Sequence, residues 1–218
     1  ILHCGPVPMD SLTTPDDRRR CEVLGVPVDA CRDVSAAAIG LHSRGGGRVV
    51  TLNAEMTMAA RSHPQLGRAI ASAELVIPDG AGVVWALSRQ GVRVVKKAGI
   101  ELAWTLLGYA ASHGWRVALV GASPKVMGNL RRTLPEAFPG LNLVMAVDGY
   151  QPEQAWPEIE AELADAAPDL VLIALGVPRQ EIWSDQQQSG KAGLWMGVGG
   201  SFDVWAGVKK RAPRGMCS

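Results

Sequence analysis

From residue 22 onward, hydrophobic and polar positions follow one repeating pattern. A short run rich in Val, Ile or Leu is followed by a turn with Gly, Pro, Asn or Asp, and then by a longer helix-like stretch. Apolar runs without polar interruption are typical of strands that are buried on both faces, as in a parallel sheet. The alternation therefore predicts an α/β fold with a largely parallel sheet flanked by helices.

The pattern gives approximate bounds for these elements. Strands are predicted at residues 22–28, 48–53, 73–77, 116–120, 142–146, 170–175 and 194–198. Helices are predicted at residues 33–43, 54–72, 81–90, 99–113, 124–137, 152–166 and 178–188. Pro64 should break or kink the second helix, because its ring removes a backbone donor and clashes with the preceding turn. Residues 90–99 carry two glycines and little periodicity, which predicts a mobile loop.

Length and composition fit one globular domain in the cytoplasm. The chain has 218 residues, of which 47% are hydrophobic, and this is enough for a single core. Residues 1–20 contain three prolines and no periodicity, so we expect a flexible leader followed by a single domain at 21–218. No run approaches the roughly 18 apolar residues that a membrane helix needs, and no signal pattern starts the chain.

Charge and cysteine spacing exclude several classes of protein. The formal charge of +1 provides no field that would attract nucleic acid, so an anionic ligand must be bound by local basic groups. The four cysteines have no CxxC spacing, and the four histidines form no cluster with them. We therefore predict no metal site and no cofactor.

Polar residues follow several predicted strands at their carboxyl ends, where open parallel sheets bind ligands. They occur in the stretches TLNAE, IPDGAG, LVGAS, LGVPRQE and GVGGSFD. The candidate site residues in these stretches are Thr51, Asn53, Asp79, Gly121, Gln180, Glu181 and Asp203. Basic groups at Lys96-Lys97 and in the run Lys209-Lys210-Arg211 could compensate the charge of a phosphorylated ligand.

Most of these residues also have a purely structural interpretation. Asn53 and Asp79 stand where a helix N-cap is expected. Glu181 falls in the first turn of a predicted helix, where the helix dipole favours an acidic side chain without any ligand. Gly121 begins half of a dinucleotide fingerprint, but the complete G-x-G-x-x-G is absent, so a nicotinamide-dependent oxidoreductase is only an alternative.

Five stretches in a fixed order, TLNAE, PDGAGVVW, KKAGIEL, LGVPRQE and GVGGSFDVWAGVKKRAP, resemble the WecG/TagA/CpsF family of bacterial glycosyltransferases. The resemblance covers residues 22 to 213 and rests on the ordered set. It implies a Rossmann-like domain and inverting, metal-independent transfer of N-acetylmannosamine or a related sugar from a UDP-sugar to a polyprenyl-diphosphate-linked acceptor. The product would belong to cell-surface polysaccharide or teichoic acid. No Asp-x-Asp triplet occurs in the sequence, which agrees with transfer without a divalent metal.

The resemblance also implies a role for individual residues. Asp79 matches the catalytic base that deprotonates the acceptor hydroxyl as it attacks the anomeric carbon. Thr51, Asn53 and Gln180 match residues that orient the donor. Lys96 and Lys97 stand where the family usually has Arg, so the positive charge is kept while the bidentate geometry is lost.

The end of the sequence departs from the family pattern. Family members continue past the RAP motif into an appendage that covers the active site and contacts the membrane, whereas this sequence ends at Ser218. The resemblance implies a peripheral protein at the inner face of the cell membrane, attached through that missing segment. It also makes a homo-oligomer an expectation, through surfaces that the segment would cover. A non-catalytic nucleotide-sugar-binding module is the second alternative.

Overall fold

The computed structural model describes residues 18–94 and 97–209. The strands are β1 Arg18–Val23, β2 Val26–Cys31, β3 Gly47–Leu52, β4 Leu75–Pro78, β5 Arg116–Gly121, β6 Asn142–Val147, β7 Leu170–Ala174 and β8 Leu194–Gly197. The helices are α1 Val34–Ser43, α2 Ala54–Ser62, α3 Pro64–Ala71, α4 Gly80–Arg89, α5 Gly99–His113, α6 Pro124–Ala137, α7 Trp156–Ala166, α8 Arg179–Gln188 and α9 Ser201–Trp205. Residues 1–17 of the predicted leader, Lys96 and Arg211 lie outside the described residues.

Six strands form one sheet in the order β4-β3-β8-β7-β5-β6. Each of the pairings in this sheet is parallel, so the strands all end at the same edge. Helices connect successive strands, as a parallel sheet requires. The predicted Rossmann-like α/β fold is thus confirmed. The order also places β3, β4 and β8 side by side at one end of the sheet, which determines which strand-end residues can meet.

The two faces of the sheet carry separate hydrophobic clusters, as alternating side chains along a strand require. Val49 packs in a cluster with residues of α1, α5, α6 and α9. Val50 packs on the opposite face, with residues of α2, α3 and α4. Farther along that opposite face, α7 and α8 cover β5, β7 and β8 with a cluster that contains Trp156, Trp183 and Trp195.

An antiparallel hairpin of β1 and β2 precedes the sheet. The prediction of one strand at residues 22–28 is wrong, because Leu24 and Gly25 have φ values of 53° and 80° and form the turn between two strands. Strand β1 also begins inside the predicted leader. The hairpin lies along β4, where Asp29 Oδ2 accepts a hydrogen bond from Val76 N at 2.7 Å. Arg20 donates to the Ala73 carbonyl at 2.8 Å and so covers the same edge.

Helix ends follow local sequence signals. The predicted break at Pro64 is confirmed, since α2 ends at Ser62 and α3 begins at Pro64. His63 lies between them, and its Nδ1 accepts a hydrogen bond from Leu66 N at 3.3 Å. Across the described residues, we found no helix with both the length and the apolar character required to span a bilayer.

Candidate active site

Asp79 follows β4 directly at the carboxyl edge of the sheet. Its backbone N–H donates to the Leu52 carbonyl at 2.8 Å, which holds it beside the end of β3. It occupies the N-cap position of α4, but its side chain makes no capping hydrogen bond. Its Oδ2 lies 3.3 Å from the position that a Cβ on Gly99 would occupy. The carboxylate therefore faces the start of α5 and not the helix that it precedes.

Gly99 brings the first turn of α5 against β3. A Cβ at this position would lie 2.7 Å from Thr51 Cγ2, so a larger residue would push the helix away from the strand. The N-cap residue of this 15-residue helix, Ala98, has no side chain that could cap it, and the first amides of the helix carry a partial positive charge. Thr51 and Asp79 thus meet at a helix end that favours an anionic group.

Asn53 is a helix cap, as its structural interpretation predicts. Its Oδ1 accepts a hydrogen bond from Met56 N at 2.8 Å, and its carbonyl accepts one from Thr57 Oγ1 at 2.8 Å. The cap uses only the oxygen of the amide. The Nδ2 group of Asn53 can therefore donate a hydrogen bond elsewhere. Asn53 directly follows Leu52, whose carbonyl accepts the N–H of Asp79.

Lys97 lies two residues before Gly99 and contacts a residue that the sequence motifs did not include. Its Nζ donates to Ser35 Oγ, near the N-terminus of α1. Asp33 caps that helix by accepting hydrogen bonds from Ser35 N at 2.9 Å and Ala36 N at 3.0 Å. The DVSA capping pattern predicts the start of α1, but no residue type in it indicates that Lys97 would reach it. Lys97 is therefore held at the same edge as Asp79.

Gln180 and Glu181, in the first turn of α8, lie under the end of β8. Their exposed fractions are only 2% and 3%, and Gln180 Nε2 donates to Glu181 Oε1 at 2.8 Å. A Cβ on Gly197 would lie 2.6 Å from Gln180 Nε2 and 3.0 Å from Glu181 Oε1. The two side chains are thus packed against bare backbone at the carboxyl edge. Gly197 is two strands from β4, or about 10 Å.

One side-chain oxygen of each residue has no hydrogen-bond partner within the described part of the chain. These atoms are Gln180 Oε1 and Glu181 Oε2, both buried. Burial raises the pKa of Glu181 to about 7, and this outweighs the hydrogen bond from Gln180 and the charge of Arg48, which act in the opposite direction. An unpaired buried polar atom costs about 1–3 kcal/mol, so this pair is costly for the folded state unless something else binds it.

Gly121 and Asp203 have structural roles in the same fold. Gly121 has a φ of 114°, and a Cβ there would lie 2.4 Å from the Ala174 carbonyl oxygen, so the residue serves the close packing of β5 on β7. Asp203 Oδ2 pairs with Lys209 Nζ at 3.3 Å, and its carbonyl accepts the N–H of Val208 at the end of α9. Strand β5 is also four positions from β4 in the sheet, about 19 Å. Gly121 is therefore far from Asp79.

A cavity of about 550 Å³ lies at the opposite, amino edge of the sheet. Its walls include Arg48, Ser72, Glu74 and Asp185. Because the ligand sites of parallel sheets form at the carboxyl edge, this cavity is not the candidate active site. Within residues 18–94 and 97–209, no three His, Cys, Asp or Glu side chains are grouped closely enough to hold a metal ion.

Comparison with protein families agrees with the fold and with the order of the motifs. The family model described as "Glycosyl transferase WecG/TagA/CpsF family" matches residues 21–218. The match includes the whole parallel sheet together with Thr51, Asn53, Asp79, Gln180 and Glu181. The chain therefore belongs to the WecG/TagA/CpsF family of glycosyl transferases.

Proposed function

We propose that this protein is an inverting, metal-independent glycosyltransferase that moves N-acetylmannosamine or a related sugar from a UDP-sugar to a polyprenyl-diphosphate-linked acceptor. Membership of the family supports glycosyl transfer in cell-surface polysaccharide synthesis. The observation that carries the proposal is the position of the Asp79 carboxylate, which follows β4 at the carboxyl edge and faces Gly99 at the start of α5. A carboxylate at this edge, where parallel sheets bind their ligands, can serve as the general base for a substrate hydroxyl.

The proposed reaction is a single displacement. Asp79 accepts the proton of the acceptor hydroxyl while the hydroxyl oxygen attacks the anomeric carbon of the donor. The bond between that carbon and the diphosphate oxygen breaks, and UDP leaves with the electron pair. Because attack and departure occur on opposite faces of the sugar, the configuration at the anomeric carbon is inverted.

Neighbouring groups can bind the donor and stabilise the departing diphosphate. Thr51 and the Nδ2 group of Asn53 lie at the end of β3, beside the base. The N-terminus of α5 and the ammonium group of Lys97 supply positive charge at this edge. Preorganised donors of this kind stabilise developing negative charge in the transition state. Gln180 would contact the donor from the β8 side of the crevice.

The remaining parts of the proposal concern location and partners. A polyprenyl acceptor is embedded in a bilayer, so the protein would act at the inner face of the cell membrane as a peripheral protein. A nicotinamide-dependent oxidoreductase has less support, because Ala122 and Ser123 follow Gly121 and the complete G-x-G-x-x-G is absent.

Asp79→Asn tests the assignment of the base in the full-length protein. We expect transfer from UDP-N-acetylmannosamine to a short polyprenyl-diphosphate-linked acceptor to fall by about 100-fold or more, the scale of general-base catalysis. The stabilisation of the protein by UDP, measured as a thermal shift, should persist because the diphosphate does not need the base.

Asp148→Asn is a matched control at the opposite end of the sheet. Asp148 also follows a strand, but its carboxylate accepts hydrogen bonds from Tyr150 N and Gln151 Nε2, both at 2.9 Å. Transfer by this variant should remain within about twofold of the parent. Unchanged turnover in Asp79→Asn would remove Asp79 as the base, and UDP binding without transfer in the parent protein would favour a non-catalytic binding module.

A further inference from the structure

We propose that Glu181 is a positioning residue of the donor site: in its neutral form it holds the amide of Gln180 against the end of β8, and the donor binds to this neutral form. The inference rests on the proposed function, because it requires an anionic UDP-sugar at the carboxyl edge. It adds a proton-linked control of donor binding, exerted by a residue other than the base.

Glu181 restrains the side chain of Gln180 directly, through a hydrogen bond. The 2.8 Å hydrogen bond from Gln180 Nε2 to Glu181 Oε1 fixes one end of the amide. Gly197 packs against the same nitrogen, and even a methyl group at this position would lie 2.6 Å from Gln180 Nε2. The amide therefore keeps its position at the end of β8 only while Glu181 accepts its hydrogen bond and residue 197 is a glycine.

The two unpaired oxygens are complementary only when Glu181 carries a proton. Gln180 Oε1 is an acceptor without a donor, and Glu181 Oε2 is a donor only in the carboxylic acid form. The neutral acid can offer that proton to the amide oxygen or to a ligand. The carboxylate would instead leave two buried acceptors with nothing to donate to them, which costs free energy.

Few charged groups lie near Glu181 to oppose the neutral form. Strands β7 and β8 pack against α8 and contain no charged residue. Strand β3 contributes Arg48, and α3 contributes the exposed Arg68. Within α8 itself, Arg179 is exposed and Asp185 pairs with Arg48. The one buried cation among these groups is therefore already compensated.

An anionic donor strengthens the preference for the neutral form. A UDP-sugar places a diphosphate at the carboxyl edge, and a buried carboxylate under β8 would repel it through a medium of low dielectric constant. Linkage requires the converse, so donor binding should cause Glu181 to take up a proton. Gln180 contacts the donor in this scheme, and Glu181 acts through it.

The test measures the affinity for UDP-N-acetylmannosamine by calorimetry between pH 6 and pH 8. The diphosphate of a UDP-sugar does not titrate in this range, unlike the terminal phosphate of UDP. For the parent protein we expect affinity to fall about tenfold, because the neutral fraction of a group with a pKa of about 7 falls by about that factor. Repeating the titration in buffers of different ionisation enthalpy should show proton uptake near pH 7.

Glu181→Gln should bind the donor with nearly constant affinity across this range and take up no proton, since it mimics the neutral acid. Gly197→Ala is the matched variant, because it displaces the Gln180 amide while Glu181 remains. It should lower affinity at every pH and keep the pH dependence. The infrared carboxylic acid band of the ligand-free parent, present at pH 6 and lost at pH 8, provides a measurement that needs no variant.

Two outcomes separate this inference from the proposed function. Equal pH dependence in the parent and in Glu181→Gln, or the lack of a protonated carboxyl at pH 6, would overturn the role of Glu181 and leave glycosyl transfer intact. A parent protein that binds no UDP-sugar at any pH contradicts the proposed function itself.

Discussion

The first and second turns of α8 bury polar groups in opposite ways. Glu181 lies under the carboxyl edge of the sheet, bonded to Gln180 on one oxygen and unpaired on the other. Asp185, one turn later, lies toward the amino edge and pairs with the buried Arg48 at 2.8 Å. Helix α8 thus carries an incomplete polar pair, Gln180 and Glu181, in which two oxygens lack hydrogen-bond partners within the described residues. It also contributes Asp185 to a completed pair with Arg48.

The completed pair belongs to a network that the protein supplies in full. Arg48 has an exposed side-chain fraction of only 3%, and burial lowers its pKa from the usual value. Its guanidinium donates to the Ala69 carbonyl at 2.7 Å and to Ser72 Oγ at 2.9 Å, in addition to Asp185. Charge and hydrogen bonds are satisfied without a ligand, even though a cavity adjoins them. The difference supports the proposal that the carboxyl edge binds the substrate while the amino edge stabilises the fold.

Arg48→Met should have the largest effect on stability. The substitution keeps the apolar stem but removes the guanidinium from the Ala69 carbonyl and Asp185, which retain contacts with Ser72 Oγ at 3.4 Å and 3.1 Å. Breaking a buried ion pair costs about 3–5 kcal/mol, and partial exposure of Asp185 places the expected loss near about 3 kcal/mol. Urea unfolding measures it.

The control for Arg48→Met is Arg132→Met, since Arg132 and Glu136 form an exposed pair at 3.8 Å. That variant should change the free energy of unfolding by less than about 0.5 kcal/mol. Similar losses for the two variants would mean that the amino-edge network is not a stabilising feature.

Glu181→Gln should remove a pH-dependent loss of stability. The size of that loss is similar to the loss expected for Arg48→Met. Because burial raises the pKa of Glu181 from 4.5 to about 7, this group costs the parent no stability below pH 4.5. The parent then loses about 3 kcal/mol of stability as the pH rises through 7, at about 1.4 kcal/mol per pKa unit. The variant has no such loss, so its advantage over the parent should be larger at pH 8 than at pH 5. Chemical unfolding at the two pH values measures this.

Asp185→Asn is the matched change one turn along α8. It weakens the interaction with Arg48, and we expect a loss of about 1 kcal/mol at both pH values. If Asp185→Asn showed the pH-dependent gain and Glu181→Gln did not, the assignment of the two turns of α8 would have to be exchanged.

Asn53→Ala should have a small effect on stability. Loss of the cap of α2 costs about 1 kcal/mol. Asn53→Ser retains a capping oxygen and should recover most of that loss, but it lacks the Nδ2 donor. If Asn53 also contacts the donor, the Ser variant will be stable and still bind UDP weakly. Recovery of both properties by Ser would assign Asn53 to capping alone.

Much of the fold could be predicted because it depends on local signals. The apolar runs around Val49, Leu119 and Leu172 are strands, and Pro64 separates two helices as expected. The turn at Leu24 and Gly25 was missed, because the apolar residues on both sides read as one continuous strand. Propensity and hydrophobic period cannot distinguish an unbroken run from a tight hairpin inside it.

The candidate site was predicted in part, and the missing part depends on distances. Strand-end position and motif order indicated Asp79 and Thr51. Nothing in the sequence indicated that Gly99 would bring α5 against Thr51 and Asp79. The packing role of a glycine depends on neighbours that only the folded chain brings together. Ser35 was missed for the same reason, because its partner Lys97 lies 62 residues away along the chain.

The hairpin of β1 and β2 has a consequence for solubility. An uncovered outer strand of a sheet is a template on which another chain can add a strand and begin to aggregate. On β4, the side chains of Asp29 and Arg20 occupy the Val76 amide and the Ala73 carbonyl. These are the groups that an incoming strand would need. A variant that loses both side chains would therefore remain able to form the sheet, but would be exposed to strand addition by a second molecule.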